Sequence, residues 1–174
     1  MSKLTKKALL KHFDKSDKED IIREVVILFD KFKNVKEFYQ AELLNDNSPV
    51  LDAYKKKIAE AYAKPNPKER TTNANLNKLL SAFKRIKVYD RDLAELMLYR
   101  VECGVLAIKK NSKRTSTFYN CILTSFEDAI KLIVVDGSMD DFKGRIDKIL
   151  KNAEAGRFGF EERLNDIVLK YTID

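Results

Sequence analysis

Apolar residues recur every three or four positions from Leu9 to Tyr171, and this spacing limits the fold more than any other feature of the chain. A period near 3.6 gathers such residues into one stripe of a helix, whereas a half-buried strand would need strict alternation. Five glycines and three prolines leave little material for the many tight turns of an all-β chain. The sequence therefore predicts an all-α protein, an irregular helical bundle or a short stack of antiparallel helical hairpins with eight or nine helices. At 174 residues the chain suits a single domain, 1–174, large enough to hold together without a disulfide or a metal staple.

Local signals divide the chain. Thr5 is an N-cap candidate for a short helix reaching about Phe13. Ser16-Asp17-Lys18-Glu19 has the form of a capping box, opening a helix with Ile21, Ile22, Val25, Leu28, Phe29 and Phe32 along one side. Asn34 marks a break before a segment from Val35 to Leu44. Ser48 and Pro49 read as N-cap and first helical residue of the next helix, which Pro65-Asn66-Pro67 ends. Residues 65–75 are the most loop-like stretch, and a subdomain boundary, if there is one, falls there.

The second half is more apolar. A helix is expected from Asn75 to Val88, then a long one capped by Asp90 and apolar around much of its circumference, the natural central helix. The polar stretch Lys109 to Thr117 turns the chain into a second apolar helix that Gly137 ends. Ser138-Met139-Asp140-Asp141 opens another, and Phe160 to Tyr171 forms the last. Neither a repeat of 34–45 residues nor a sustained heptad is present.

Most enzyme chemistry finds no foothold, and the chain is read as non-enzymatic, with no catalytic residues, metal site or cofactor. The single histidine, His12, sits at a helix end outside any nucleophile motif. Phosphate-cradling glycine loops, dinucleotide fingerprints and calcium loops are missing. Two cysteines, Cys103 and Cys121, read as small core residues in a reducing compartment rather than as a disulfide. No apolar run approaches the ~20 residues that span a bilayer, and the first residues carry no leader pattern, so the expected location is cytoplasmic. Glu95, Glu102, Glu127 and Asp128 are the only acids placed to suggest hydrolytic or cation-binding chemistry. The simpler expectation pairs the first two with Arg91, Tyr99 or Lys109, and the last two with Lys131. Arg100 lies near the apolar stripe, where a buried pair with Glu102 or Glu127 would be a structural device as often as a site.

Charge is unevenly spread. The net charge is +7, yet residues 53–115 alone hold 16 basic and 6 acidic side chains. Two basic clusters, Lys84, Arg85 and Lys87, then Lys109, Lys110, Lys113 and Arg114, fall at helix ends, where the helix dipole favours cations whatever the function. Were they co-facial they would attract nucleic acid through its phosphates, without sequence preference. The competing reading is a protein-interaction or scaffolding module. Surplus apolar residues, such as Val26, Ile27, Leu98, Leu106, Val134 and Val135, exceed what one buried face requires and suit self-association or a protein partner.

The N-terminal third adds a resemblance. Lys3-Leu4-Thr5-Lys6-Lys7, Leu9-Leu10, Lys18-Glu19, Ile21-Ile22 and the run from Phe29 through Phe32 to Val35-Lys36-Glu37-Phe38-Tyr39 resemble a bacterial all-helical family catalogued as a domain of unknown function. The resemblance implies an all-helical, cytoplasmic bacterial protein and brings no catalytic residues.

Overall fold

The computed structural model describes residues 4–44, 47–63, 69–86, 89–111 and 114–172. Among the described residues it holds nine helices and no strand, an all-α fold as the periodicity demands. The chain divides into two compact units, Met1–Asn45 and Asp46–Asp174. The segment expected to bound a subdomain lies inside the second unit, where residues 64–68 are outside the described ones.

The first unit contains α1 (Lys6–Phe13), α2 (Lys18–Lys31) and α3 (Lys33–Leu44). Thr5 caps α1 as expected, its hydroxyl accepting from the Ala8 N–H at 3.2 Å. The cap of α2 is Asp17 rather than Ser16: the Asp17 carboxylate accepts from the Asp20 N–H at 2.8 Å. Ser16 is already committed to α1, with its hydroxyl donating to the His12 carbonyl and its N–H to that of Phe13. The break between α2 and α3 falls at Phe32, whose backbone is extended, two residues before Asn34. The Phe29 and Tyr39 rings, 6.4 Å apart, join α2 to α3.

The second unit contains α4 (Ser48–Ala63), α5 (Glu69–Phe83), α6 (Asp90–Lys110), α7 (Ser116–Asp136), α8 (Met139–Ala153) and α9 (Phe160–Thr172). Its core is the α6–α7 pair, with α4 and α8 on α6, α9 on α7, and α5 against α4, α6 and α7. Helix α6 buries eleven residues around its circumference, from Leu93 and Leu96 to Val105 and Ile108, as expected of a central helix. Gly104 is what lets the two core helices approach: a Cβ there would lie 2.6 Å from Ile122 Cδ1. Phe83, Phe126, Ile130, Ile133 and Leu164 are completely buried around this pair.

Several boundaries differ from the sequence reading. Helix α4 starts at Ser48, because the Asn47 carbonyl already accepts from the Leu51 N–H. Helix α5 begins at Glu69 and ends at Phe83, so its first turns occupy part of the expected loop. Tyr89, not Asp90, precedes α6, and no side chain caps that helix. Ser138 stands at the N-cap of α8, but its hydroxyl is buried without a partner, so the box does not close. Gly137 ends α7 with φ 68°, the left-handed cap its sequence predicts.

Candidate functional site

Helix α2 carries two adjacent apolar stripes. Ile21 and Val25 are half-buried, whereas Ile22 and Val26 are 50% and 52% exposed, and Phe29 continues their stripe one turn on. Neither α1 nor α2 contains a buried residue, and Leu9 and Leu10 of α1 are exposed as well. What ties α1 to α2 is polar: His12 Nε2 lies 2.7 Å from Glu24 Oε1, both side chains about half exposed. Acids Glu19 and Asp20 occupy the first turn of α2 and Lys31 its last, the order the helix dipole favours. Of the other surplus apolar residues, Leu98 is buried in the second unit while Leu106, Val134 and Val135 are exposed.

The basic clusters are spread out. Lys84 and Arg85 lie exposed in the turn after α5, and Lys109 and Lys110 are exposed in the last turn of α6. Lys84 shares a cleft with Met97, which stands twelve residues, or about 18 Å of helix, before Lys109. Lys109 donates to Asn152 Oδ1 at 3.0 Å, and Arg114 is half-buried with its guanidinium 5.2 Å from the centre of the Phe118 ring. Lys87 and Lys113 fall outside the described residues.

Three of the four acids are neutralised: Glu127 meets the Lys131 expected of it, while Glu95 and Glu102 take partners other than those expected. Glu95 pairs with Lys55 of α4 at 2.6 Å and with Arg145 of α8, while Arg145 Nε donates to Glu102 at 2.7 Å. One guanidinium thus spans two turns of α6, and α4, α6 and α8 meet in a single charge network. Arg91, expected beside Glu95, instead pairs with Asp141 at 2.8 Å. Glu127 does meet Lys131, at 3.4 Å, but also accepts from Tyr171 and Lys170 of α9. The Tyr171 hydroxyl foremost, then the Lys170 ammonium, hold the Glu127 carboxyl down to about 2.

Asp128 faces elsewhere, into an open cleft of about 520 Å³ between α5, α6 and α7. Leu80 and Met97 give this cleft an apolar floor; Ser81, Asn120, Thr124 and Ser125 give it hydroxyls and amides. Arg100 also lines it, only 2% exposed, and its partner is neither Glu102 nor Glu127. Its Nη1 donates to Asn77 Oδ1 at 2.8 Å, while its Nε is buried with no acceptor. The buried Tyr62 hydroxyl lies beside Arg100, and burial pushes its pKa up to about 12 against the pull of that guanidinium. Cys103 and Cys121 are both free thiols, half-buried, and burial raises the pKa of Cys103. Among the described residues no helix is long and apolar enough to cross a membrane.

The sequence matches the family of unknown function DUF6155 over residues 1–172. The chain belongs to that family. The match runs through both compact units and reaches far beyond the N-terminal residues that resemble such a family. No curated protein and no solved structure matches the chain.

Proposed function

We propose that this chain is a non-enzymatic, cytoplasmic protein-interaction module that pairs with a second copy of itself through the outer face of α2. The observation that carries the reading is the exposed Ile22–Val26–Phe29 stripe on a helix that buries none of its residues. A unit of about 45 residues has too little interior to offset the entropy of ordering its chain, so it gains from a covering surface. The charges select the second copy as that cover. An antiparallel pair of α2 helices about a two-fold axis sets Glu19 and Asp20 of each, which Arg23 of the same helix also holds, towards Lys31 of the other, and opposes the two helix dipoles. Free cysteines suit a reducing compartment, and the ion-paired state of Glu95, Glu102 and Glu127 argues against acid–base roles for them.

With three large apolar residues from each copy, the interface is small and the association belongs in the micromolar range, roughly −8 kcal/mol. Sedimentation velocity of the full chain between about 1 and 200 µM tests it. A monomer–dimer equilibrium is expected, abolished by Ile22→Glu/Val26→Glu with the far-ultraviolet dichroism unchanged. A monomer at every concentration overturns the reading. Salt-sensitive binding of labelled nucleic acid by that monomer, lost on reversing Lys109, Lys110 and Arg114, would instead favour a nucleic-acid-associated protein.

A further inference from the structure

The second unit holds a feature that self-association leaves unexplained. A guanidinium stays charged at any pH a folded protein meets, and removing it from water costs several kcal/mol unless an anion or a full set of acceptors replaces the solvent. Arg100 has neither. Among the described residues its polar neighbours are two neutral groups, the Asn77 amide that accepts from Nη1 and the Tyr62 hydroxyl, and no carboxylate lies within ion-pair distance. Every other acid weighed on α6 has found a cation, so the chain does not lack carboxylates; this position lacks one. Burial without a counter-ion is tolerable where the missing acceptor arrives from outside, and Arg100 lines an open cleft between α5, α6 and α7.

The cleft is furnished to match. Its volume of about 520 Å³ falls in the range of small-molecule sites. Asn77 holds Nη1 and so fixes the plane of the guanidinium at the cleft wall, a pre-oriented cation for an entering carboxylate. Along α5, Lys84 stands seven residues from Asn77, about 10 Å further on, so a second cation marks the far end of the cleft. Asp128 also faces the cleft and would repel a dianion, while accepting from an amine or hydroxyl. Ser81, Asn120, Thr124 and Ser125 add neutral donors and acceptors between them.

We infer that this cleft binds a small organic carboxylate bearing an amine or hydroxyl group, with Arg100 as the buried anchor of the carboxylate and Asp128 receiving the donor group. The site is built from the second unit alone, and its readout is the ligand-dependent change in Tm at one fixed protein concentration, so it does not rest on the α2 reading.

The experiment is thermal unfolding of the full chain at constant ionic strength with serine, lactate, succinate, acetate, inorganic phosphate or sodium chloride at 1–50 mM, followed by titration calorimetry of whichever stabilises. Serine or lactate is expected to raise Tm by about 5 °C near a hundredfold excess over Kd, ahead of acetate and phosphate. Arg100→Met should remove the shift. Because that variant alters a buried position, Lys84→Gln and Asp128→Asn at the exposed and half-buried rim serve as the second test. Asp128→Asn is expected to weaken serine several-fold while strengthening phosphate. Stabilisation by phosphate alone overturns the carboxylate assignment. A panel indistinguishable from sodium chloride, or shifts that survive Arg100→Met, overturns the site.

Discussion

The two units are built from the same material and meet opposite fates. Helix α2 and helix α7 each carry a broad run of Ile, Val, Leu and Phe, yet α7 buries nine residues and α2 none. What separates them is what surrounds them: α7 has α5, α6, α8 and α9 as neighbours within its unit, while α2 packs on α3. An amphipathic pattern states that a face wants cover, and says nothing about whether the same chain provides it. In the first unit the unanswered face becomes a candidate for association. In the second, the core apolar side chains are answered, and among the described residues the buried polar groups without an acceptor include a charge, Arg100.

The sharpest way to break this contrast is to truncate one aromatic residue in each unit. Phe126→Ala empties a fully buried site in α7 and should cost about 3–5 kcal/mol in urea unfolding, enough to threaten folding altogether. Phe29→Ala, on a residue 39% exposed, should cost under about 1 kcal/mol when measured below the concentration at which copies pair. Equal losses would mean that α2 is as deeply packed as α7.

A smaller effect is expected from Gly104→Val. The new side chain must displace Ile122 at the α6–α7 crossing, and overpacking of this kind costs about 1–3 kcal/mol, part of it returned by the better helix propensity of valine. An unchanged Tm would show that the core pair can separate without penalty.

Smallest is the difference between two ion pairs, one per unit. Glu127 has its pKa lowered from 4.5 to about 2, so the clasp it forms with α9 is fully present above pH 4.5 and is lost as pH falls towards 2. Glu127→Gln should flatten that part of the Tm–pH curve. His12→Gln, which removes a half-exposed pair in the first unit, should change stability by less than about 1 kcal/mol. A larger effect at His12 than at Glu127 would reverse the ranking of the two units.

Helix identity, the central role of α6, the Thr5 cap and the Gly137 stop were all legible in the sequence, because each depends on neighbours within a few residues. The misplacements share a cause. Ser16 and Asp17 both satisfy the capping pattern, and the choice between them rests on how α1 ends. The start of α5 was hidden because residues 69–75 contain no large apolar side chain, so periodicity had nothing to register. Arg145 carries no signal in the sequence, since its partners Glu95 and Glu102 lie 50 and 43 residues away. Arg100 was singled out for its place beside the apolar stripe, but only the packing of α5 could reveal Asn77 as its partner in place of an acid.

The link between α8 and α9 has a bearing on how the second unit assembles. The Arg157 N–H donates to the hydroxyl of Tyr119, 38 residues earlier, and the Phe158 and Phe160 rings lean edge-on against the same tyrosine. Phe158 sits at φ 64°, a backbone state that a non-glycine residue holds only when its surroundings insist. Those surroundings do not exist until the first turn of α7 is already in place. The α6–α7 hairpin, whose contacts are close in sequence, can therefore form early, and α9 can be locked down only afterwards. Tyr119 thus gathers the start of α7, the link before α9 and the first residue of α9 into one cluster, so the seating of α9 depends on α7 being in place.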